Sequence, residues 1–496
     1  MPNEIELKLR IADTDVTRFK RHRVLHQGLI GKPITRRLVS IYYDTPDLQL
    51  LHQHISLRVR RMSGRWFQAV KGGGKSHAGL HERMEWEDCI AKGQPDFTKI
   101  TDPSLARIFS QPDLQAALRP IFLTDTQRTE WQLVLEDSTE IEVALDVGHM
   151  ECDSHKDPFN EIELELKRGN PAHLFAIALK LQADISLAIE NISKAARGYR
   201  YLHPKKPDID QAQSVKLAKG ATVEQAFQNI ALECLRHLQA NQAALPFEPM
   251  EATHQMHIAI RRLKVAFRLF SIRDAALLEE IDWLNGLLGQ ARNWDVLLDT
   301  ILPDALANCS LAGELHQRAT HKQAKSHQDL ISALSSQRYQ TLLLTLGWLI
   351  AQPRLPISLS MKKLLRHHLI SAYKKLPWRS ETLGHLDETA LHKTRIKLKR
   401  LRYMLEFFKL PDQQSTQQMT ALQKSMGTLN DIHVGKALIE SLAQRMPVEK
   451  KQHLTDVLDD WEQRRLLDAA ARLETRWKKL RRKKSQAIDA LPGKIL

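Results

Sequence analysis

Two rhythms of apolar and polar residues divide this chain. At its start Glu4, Glu6, Lys8 and Arg10 alternate with Ile5, Leu7, Leu9 and Ile11, the period-two signature of a strand with one charged and one apolar face. The design returns where Arg58 and Arg60 alternate with Leu57 and Val59, where Glu85 and Glu87 flank Trp86, and where Glu140 and Glu142 flank Ile141. It returns again where Glu161, Glu163, Glu165 and Lys167 alternate with Ile162, Leu164 and Leu166. Turn signals at Asp44 to Asp47, Gly72 to Gly74 and Gly148 punctuate these strands, and helices are predicted near residues 14–27, 104–117 and 172–184. From residue 222 onward the period lengthens to about 3.6. The chain there reads as nearly continuous helix, broken at Pro246, Pro303, Pro353, Pro377 and Pro411.

Between the two patterns lies HPKKPDIDQAQS, residues 203–214, with two prolines and little apolar content, which reads as a linker. The predicted organisation is a strand-rich domain over residues 1–203, a linker over 204–217 and a helical domain over 218–490. The helical part repeats itself: HQMHIAIRRLKVAFRLF at 254–270 aligns without gaps on HKTRIKLKRLRYMLEFF at 392–408, an offset of 138 residues. The same offset places GQARNWDV at 289–296 on GTLNDIHV at 427–434. One register serving two separated matches predicts a duplicated bundle of about four helices per half.

With 496 residues, 43% of them apolar, the chain has material for two cores. Its net charge of +15 is unevenly spread: residues 1–203 hold 28 basic and 28 acidic side chains, residues 204–496 hold 45 and 30. The helical half is the polycation, which points to a polyanionic partner. Cys89, Cys152, Cys234 and Cys309 form no CxxC pair, so neither a disulfide framework nor a zinc knuckle is indicated. The charged start and the lack of an apolar stretch long enough to span a bilayer predict a cytoplasmic protein that uses no membrane. AVKGGGKS at 69–76 mimics a phosphate loop, but Ala69 occupies the first glycine position and HAGLHERMEW is no apolar helix, so a β-turn is the better reading. The 22 histidines include no HExxH, and His367 and His368 sit in a basic helical stretch.

Carboxylates on facing strands suit Mg²⁺ or Mn²⁺, which take hard oxygen ligands, and several cations close together suit a phosphate chain. Here a resemblance becomes specific. Glu4, Glu6 and Lys8 reproduce the ExExK signature of the CYTH family of triphosphate tunnel metalloenzymes, and IYYDTPD, SLRVR, VKGGG, DVG, EIELELK and SKAARGY follow in that family's order. The resemblance implies an α+β fold over residues 1–203: an antiparallel tunnel of about eight strands with a charged lumen. It implies Lys8, Arg58, Arg60, Lys71, Arg128 and Lys194 as phosphate-binding cations, and Glu4, Glu6, Asp146, Glu163 and Glu165 as carboxylates holding Mg²⁺ or Mn²⁺. Arg83, Glu85, Glu87, Glu142 and Glu161 share the alternation without an assigned role.

On a helix, His392, Arg395, Lys399 and Arg402 form one stripe with Arg400 beside it, while Ile396, Leu398, Leu401 and Leu405 are predicted core contacts. The first copy offers His254, His257, Arg261, Arg262 and Lys264. These helices resemble the CHAD family, conserved-histidine α-helical domains associated with inorganic polyphosphate, over residues about 218–490. The resemblance implies an all-α domain binding polyphosphate through His254, Arg261, Arg262, His392, Arg395, Lys399 and Arg400. His257 departs from it, standing where Arg395 stands in the second copy. RWKKLRRKK at 476–484 extends the basic surface or frays as a terminal helix.

The expected activity is metal-dependent hydrolysis of inorganic triphosphate to pyrophosphate and phosphate by an inorganic triphosphatase, with polyphosphate bound by the helical domain. Thiamine triphosphatase or class IV adenylate cyclase activity of the same barrel, or a non-enzymatic polyphosphate or nucleic-acid binding role, stand as alternatives. Nucleic acid is disfavoured as a partner and no obligate protein partner is evident.

Overall fold

The computed structural model describes residues 3–482 apart from 153–154, 216, 219, 354, 356, 358–359, 379, 381–382, 384–387 and 409–412. The break expected at Pro411, and residues 483–490 with the end of the basic tail, lie outside the described residues. The chain forms two compact units, Met1–Lys206 with Leu334–Gln352, and Pro207–Ala333 with Pro353–Leu496.

The first unit is built on nine strands: β1 (Asn3–Ile11), β2 (Leu29–Asp44), β3 (Ile55–Met62), β4 (Arg65–His77), β5 (Leu80–Ile90), β6 (Arg119–Val134), β7 (Glu140–Cys152), β8 (His155–Arg168) and β9 (Leu187–Ile189). Their order is β5-β4-β3-β2-β6-β7-β8-β1, and β5 returns to pair with β1, closing an eight-stranded antiparallel barrel. The short β9 adds to β1 beyond the stretch used by β5, with Leu9 opposite Ile189. Closure removes the sheet edges, and the alternation then sends the two faces to different places. Leu7, Leu9, Leu57, Val59, Val70, Val143, Ile162 and Leu164 are fully buried on the outer face. The helical excursion Pro103–Phe109 and Pro112–Ala117 packs on β3 and β4 through Leu105, Phe109 and Leu114. The charged positions are left to the lumen.

Two turn readings are corrected. β7 runs straight through Gly148, which pairs with Thr126 and Phe159. A Cβ there would lie 2.2 Å from the carbonyl oxygen of Asp125, so the glycine serves a close strand approach rather than a turn. Gly72 to Gly74 lie inside β4, where the register against β5 slips between Gly72 and Gly74; this is a bulge, and no helix follows it. The helix predicted near 14–27 is present as the short turns Asp13–Asp15, Val16–Lys20 and Arg23–His26, and that near 172–184 as Ala172–Gln182.

The second unit repeats one order of four helices. Val223–Ala244, Pro249–Leu269, Ala275–Val296 and Ala312–Leu334 make the first set. Met361–Lys374, Glu388–Phe407, Gln413–Leu442 and Val448–Arg482 make the second. Equivalent helices meet, Pro249–Leu269 against Glu388–Phe407 and Ala275–Val296 against Gln413–Leu442. Leu398, Leu401 and Leu405 are buried as the pattern predicts, whereas Ile396 is 44% exposed and is not a core residue. The linker is pinned to this unit: the carbonyl of Asp210 accepts from Asn241 Nδ2 at 3.0 Å and pairs with His237 Nε2 at 3.1 Å.

The helix Gln337–Ala351 belongs to neither set. It lies in the first unit, on Ala172–Gln182 and β9. Tyr339, Leu342, Leu343, Leu346 and Ile350 are buried there. Gly347 allows the close crossing, since a Cβ at that position would fall 2.2 Å from Cε1 of the buried Phe175. Gly347→Ala should therefore destabilise the protein by about 1–3 kcal/mol through overpacking, net of the small helix-propensity gain. Urea denaturation checks this, and an unchanged midpoint would contradict the crossing described.

Candidate functional site

Inside the barrel the inward positions of eight strands form one network of opposite charges. Lys8 lies between Glu6, at 2.8 Å, and Glu163. Lys71 Nζ meets Glu4 at 2.8 Å and Glu85 at 3.1 Å, and Arg83 reaches Glu4 and Glu6. Arg128 holds Asp146 through two bonds of 2.7 and 2.6 Å and also touches Glu163. Several pairs skip a strand, as Arg128 on β6 to Glu163 on β8, and Arg58 on β3 to Glu87 on β5 at 3.3 Å. Such pairs reach over the inward face of the strand between them, and the pairing of β5 with β1 makes that face a lumen.

One end of the lumen is filled. The helix Lys194–Leu202, capped by Ser193 Oγ accepting from the Ala196 N–H at 3.1 Å, lies against the apolar inward residues Tyr42, Phe122, Met150 and Phe159. Tyr199 O–H donates to the buried carboxylate of Asp44 at 2.7 Å, fixing the helix to the end of β2. This places Lys194 Nζ within 2.9 Å of Asp146, 2.6 Å of Glu161 and 2.8 Å of Glu163. Arg197, three residues on, holds Glu161 at 2.5 Å and Glu190 at 3.1 Å. Beside the helix a cavity of about 270 Å³ opens, lined by Ser56, Lys71, Gly72 to Gly74, His81, Arg83 and Ser193.

Burial alone would neutralise most of these groups, yet pairing keeps them charged. Burial opposes ionisation of Glu163, but Lys194, Lys8 and Arg128 overcome it and hold its carboxyl well below the usual range. Glu6 and Asp146 are likewise lowered, against burial, by Lys8 and by Arg128 respectively. Arg60 is the exception. Among the described residues it pairs with no carboxylate; Nε donates to Ser40 Oγ at 3.0 Å. Burial and the like charges of Arg58 and Arg128 bring it down to about 10. Arg58 Nε is buried without a hydrogen-bond partner. Arg60 thus stands unanswered in a wall of three guanidinium groups, beside Arg58, which meets Glu85 and Glu87, and Arg128, which holds Asp146 and Glu163.

The opposite imbalance lies around Glu165. Burial raises its pKa, Lys167 at 2.6 Å counters this, and the nearby carboxylates of Glu4 and Glu142 raise it further. Among the described residues no group of three metal-ligating side chains is placed to hold a metal ion; the carboxylates of Asp146, Glu161 and Glu163 converge on Lys194 instead. The donor chemistry, carboxylate oxygens with negative charge in excess, fits a hard divalent cation. Of the five carboxylates expected on the metal side, Asp146 is held on both oxygens by Arg128.

In the helical unit the stripes of the two repeats meet. Burial and then Arg261 lower the pKa of His257, Arg395 and Lys399, and burial, then Arg292, Arg261 and Lys399, lower that of His254. Lys399 is brought down to about 7 by burial, then by Arg261 and Arg395. His257 is brought down to about 2 by burial and then by Arg261 and Lys399, so it is neutral here. Among the described residues Asp431, whose pKa burial raises, faces Arg261, Arg395 and Lys399, and Glu251 faces His254. His392 is exposed and lines, with Arg395, Asn430 and His433, a cavity of about 260 Å³. Two expected members stand apart. Arg262 is 1% exposed, stacks its guanidinium over Phe407 at 5.2 Å and donates to the carbonyl of Gln213, so it anchors the linker. Arg400 faces Arg268 and His368 instead.

Sequence reading missed Arg197, Glu190, Arg292 and Asp431. Arg197 was detectable as the i+3 partner of Lys194. Arg292 and Asp431 lie within the repeated segments, at adjacent positions of the repeat.

Family models match residues 2–199 as a CYTH domain and residues 229–440 as a CHAD domain. The chain is 34% identical over 206 residues to an inorganic triphosphatase of Haemophilus influenzae, a match covering 40% of this chain and 55% of that protein. It therefore spans about half the length of the curated relative it matches. Among solved structures it resembles the CHAD domain of the plant Ricinus communis, with 31% identity, 57% of this chain and 97% of the other covered, and a TM-score of 0.47. It also resembles an adenylyl cyclase of Hippeastrum described as having a dominant triphosphatase activity, with 15% identity, 40% and 96% covered, and a TM-score of 0.30.

The lumen makes stability depend on pH. His81 is brought down to about 4 by burial and by Lys8 and Arg83, and Nε2 makes a 2.9 Å hydrogen bond with the carbonyl of Glu190. A pKa depressed on folding gives stability that is complete above the unfolded value near 6.5 and is lost as pH falls toward 4. His81→Gln keeps a donor and removes the titration. The variant should lose less stability than the parent between pH 7.5 and 5, by up to about 2 kcal/mol in urea denaturation; identical pH profiles would contradict this.

Proposed function

We propose that this chain, which joins a CYTH domain to a CHAD domain, hydrolyses inorganic triphosphate to pyrophosphate and phosphate inside the barrel and binds polyphosphate through its helical unit. The observation that carries the first part is the buried guanidinium of Arg60, which meets no carboxylate among the described residues and stands in a wall with Arg58 and Arg128. Buried cations without carboxylates are costly unless an anion arrives, and guanidinium groups present paired donors that match phosphoryl oxygens.

In this reading the phosphate chain lies along that wall, with Lys8, Lys71 and Lys194 supplying further positive charge. Binding exchanges part of the internal ion pairing for pairing to phosphate, so Glu6, Glu163 and Glu4 are released from the lysines that hold them. A hard divalent cation, Mg²⁺ or Mn²⁺, would be held on the side of Glu4 and Glu165, with Glu6 and Glu163 adjacent, and would neutralise charge on the phosphate chain. Arg60 and Lys8 stabilise the charge that builds on the terminal phosphoryl group as its bond to the leaving pyrophosphate stretches. A lumen carboxylate orients the attacking water. Every step uses charge and position, so no covalent nucleophile is needed.

For the helical unit, the carrying observation is that Arg261, Arg395 and Lys399, from both repeats, converge with no ion-pair partner of their own among the described residues. A linear polyanion can bridge such a cluster. Discrimination from nucleic acid is read by competition, because both partners lose affinity with salt.

Phosphate release from inorganic triphosphate, ATP and thiamine triphosphate, each with Mg²⁺, Mn²⁺ or chelator, tests the reading. Inorganic triphosphate should be the fastest substrate and chelator should abolish release. Faster turnover of an organic triphosphate would move the assignment to it, and no turnover of any would leave a binding protein. Arg60→Ala should lower kcat/KM at least tenfold, about 1.4 kcal/mol in the transition state, with Arg60→Lys intermediate; a Lys8→Ala variant retaining full release would contradict the role given to the lumen cations. In the helical unit, Lys399→Ala should weaken binding of labelled long-chain polyphosphate severalfold, and duplex DNA at equal phosphate should fail to displace it. Displacement by DNA would overturn the polyphosphate assignment.

A further inference from the structure

The segment Ile189 to Asn191 ties separate parts of the tunnel wall together. The N–H of Glu190 donates to the carbonyl of Lys8 at 2.9 Å, and the Lys8 N–H donates to the carbonyl of Gly79 at 2.9 Å. The carbonyl of Glu190 is bonded by His81 at 2.9 Å, and its carboxylate takes the Ile192 N–H at 2.8 Å and Arg197 at 3.1 Å. Asn191 accepts the Gly79 N–H on Oδ1 at 2.9 Å and the Ser76 hydroxyl on its carbonyl at 3.3 Å. The backbone of Lys8 and the side chain of Arg197 are therefore placed by three consecutive residues.

What places those residues is less obvious, because β9 has only three positions, too few to be stable at a sheet edge by itself. The answer comes from the helix Gln337–Ala351. The buried N–H of Ile189 donates to Gln340 Oε1 at 2.9 Å, across 151 positions of sequence. Gln340 is oriented by donating from Nε2 to the carbonyl of Leu334 at 3.2 Å. At the other end of β9, the Leu187 N–H donates to Gln182 Oε1 at 2.9 Å, and Gln337 Nε2 donates to the carbonyl of Gln182 at 2.6 Å. A helix that lies by sequence within the region matched as CHAD thus grips β9 directly at Ile189 and, through Gln182, at Leu187.

We propose that Gln340, supported by Gln337, is a positioning residue for the barrel's reaction: by fixing β9 it sets Glu190, and through it the backbone of Lys8 and the guanidinium of Arg197, against the phosphate chain. The proposal rests on the triphosphatase reading for its catalytic readout but not for its structural one. Gln340 touches neither substrate nor the lumen cations and acts through Ile189 and Glu190. Removing its acceptor leaves a buried N–H unpaired, which is enough to loosen a three-residue strand.

The test uses the full chain. Gln340→Met keeps the length and removes the acceptor, while Gln340→Glu keeps an acceptor oxygen. Amide hydrogen exchange at residues 187–191 should quicken at least tenfold in the Met variant, with exchange in the helix Gln337–Ala351 changed less. Its kcat on inorganic triphosphate should fall about five- to twentyfold with KM within twofold, and the Glu variant, which keeps the acceptor for Ile189 but loses the donation to Leu334, should recover part of the exchange protection. Full kcat despite rapid exchange would overturn the positioning role, as would unchanged exchange. Should the parent release no phosphate from triphosphate, the functional reading fails alone, and the exchange comparison still decides whether Gln340 holds β9.

Discussion

Closing a sheet into a barrel forces every inward charge to find its answer within a few ångströms, and the rest of this structure follows from that demand. An isolated ion in a low-dielectric interior costs several kcal/mol even after relaxation. A small barrel selected for stability alone would fill with apolar side chains. This one instead carries a lattice of lysine, arginine and carboxylate groups that, at best, roughly breaks even with such a core. The lattice makes sense as a set of replaceable partners. In the proposed reaction each paired cation would exchange a carboxylate for a phosphate oxygen, and Arg60, which has only a hydroxyl to bind, has none to give up.

The helical unit meets the same demand differently. Its cations are gathered by duplication: one stripe of each copy faces the other, so Arg261 and Lys399 occupy equivalent positions of the repeat and crowd each other. Burial and then mutual repulsion bring Lys399 down to about 7, which leaves the cluster sensitive to any anion that relieves it. His257 takes the place that Arg395 has in the second copy. Burial keeps it neutral, so the two halves contribute unequal charge.

Much of this was legible in the sequence because the governing periods are local. Alternation over a few residues fixes which face of β1, β3 or β8 is charged, and closure of the sheet then decides only that this face points inward. A shared offset of 138 residues exposed the duplication. What escaped depends on neighbours remote in sequence. Arg262 has the same type as Arg261 beside it, yet a helix turns consecutive residues by about 100°, so one faces the cluster and the other lies under the linker. Gly148 looked like a turn because glycine signals both turns and close approaches, and only the carbonyl of Asp125 distinguishes them. The helix Gln337–Ala351 has an apolar face like its neighbours, and nothing local says that its partner is Phe175 rather than another helix of the bundle.

The route of the chain, leaving the first unit at Lys206 and returning for Leu334–Gln352, carries a consequence for biogenesis. A ribosome delivers the nine strands well before it delivers the helix that covers Phe175 and caps Ile189. The nascent barrel must wait, with an apolar flank uncovered, while the whole of Pro207–Ala333 is made. Amino-terminal domains commonly mature as soon as they emerge, but here that schedule is broken. The interval is when a chaperone would find its foothold, and a premature stop codon between residues 207 and 333 would yield every strand and still leave Phe175 uncovered.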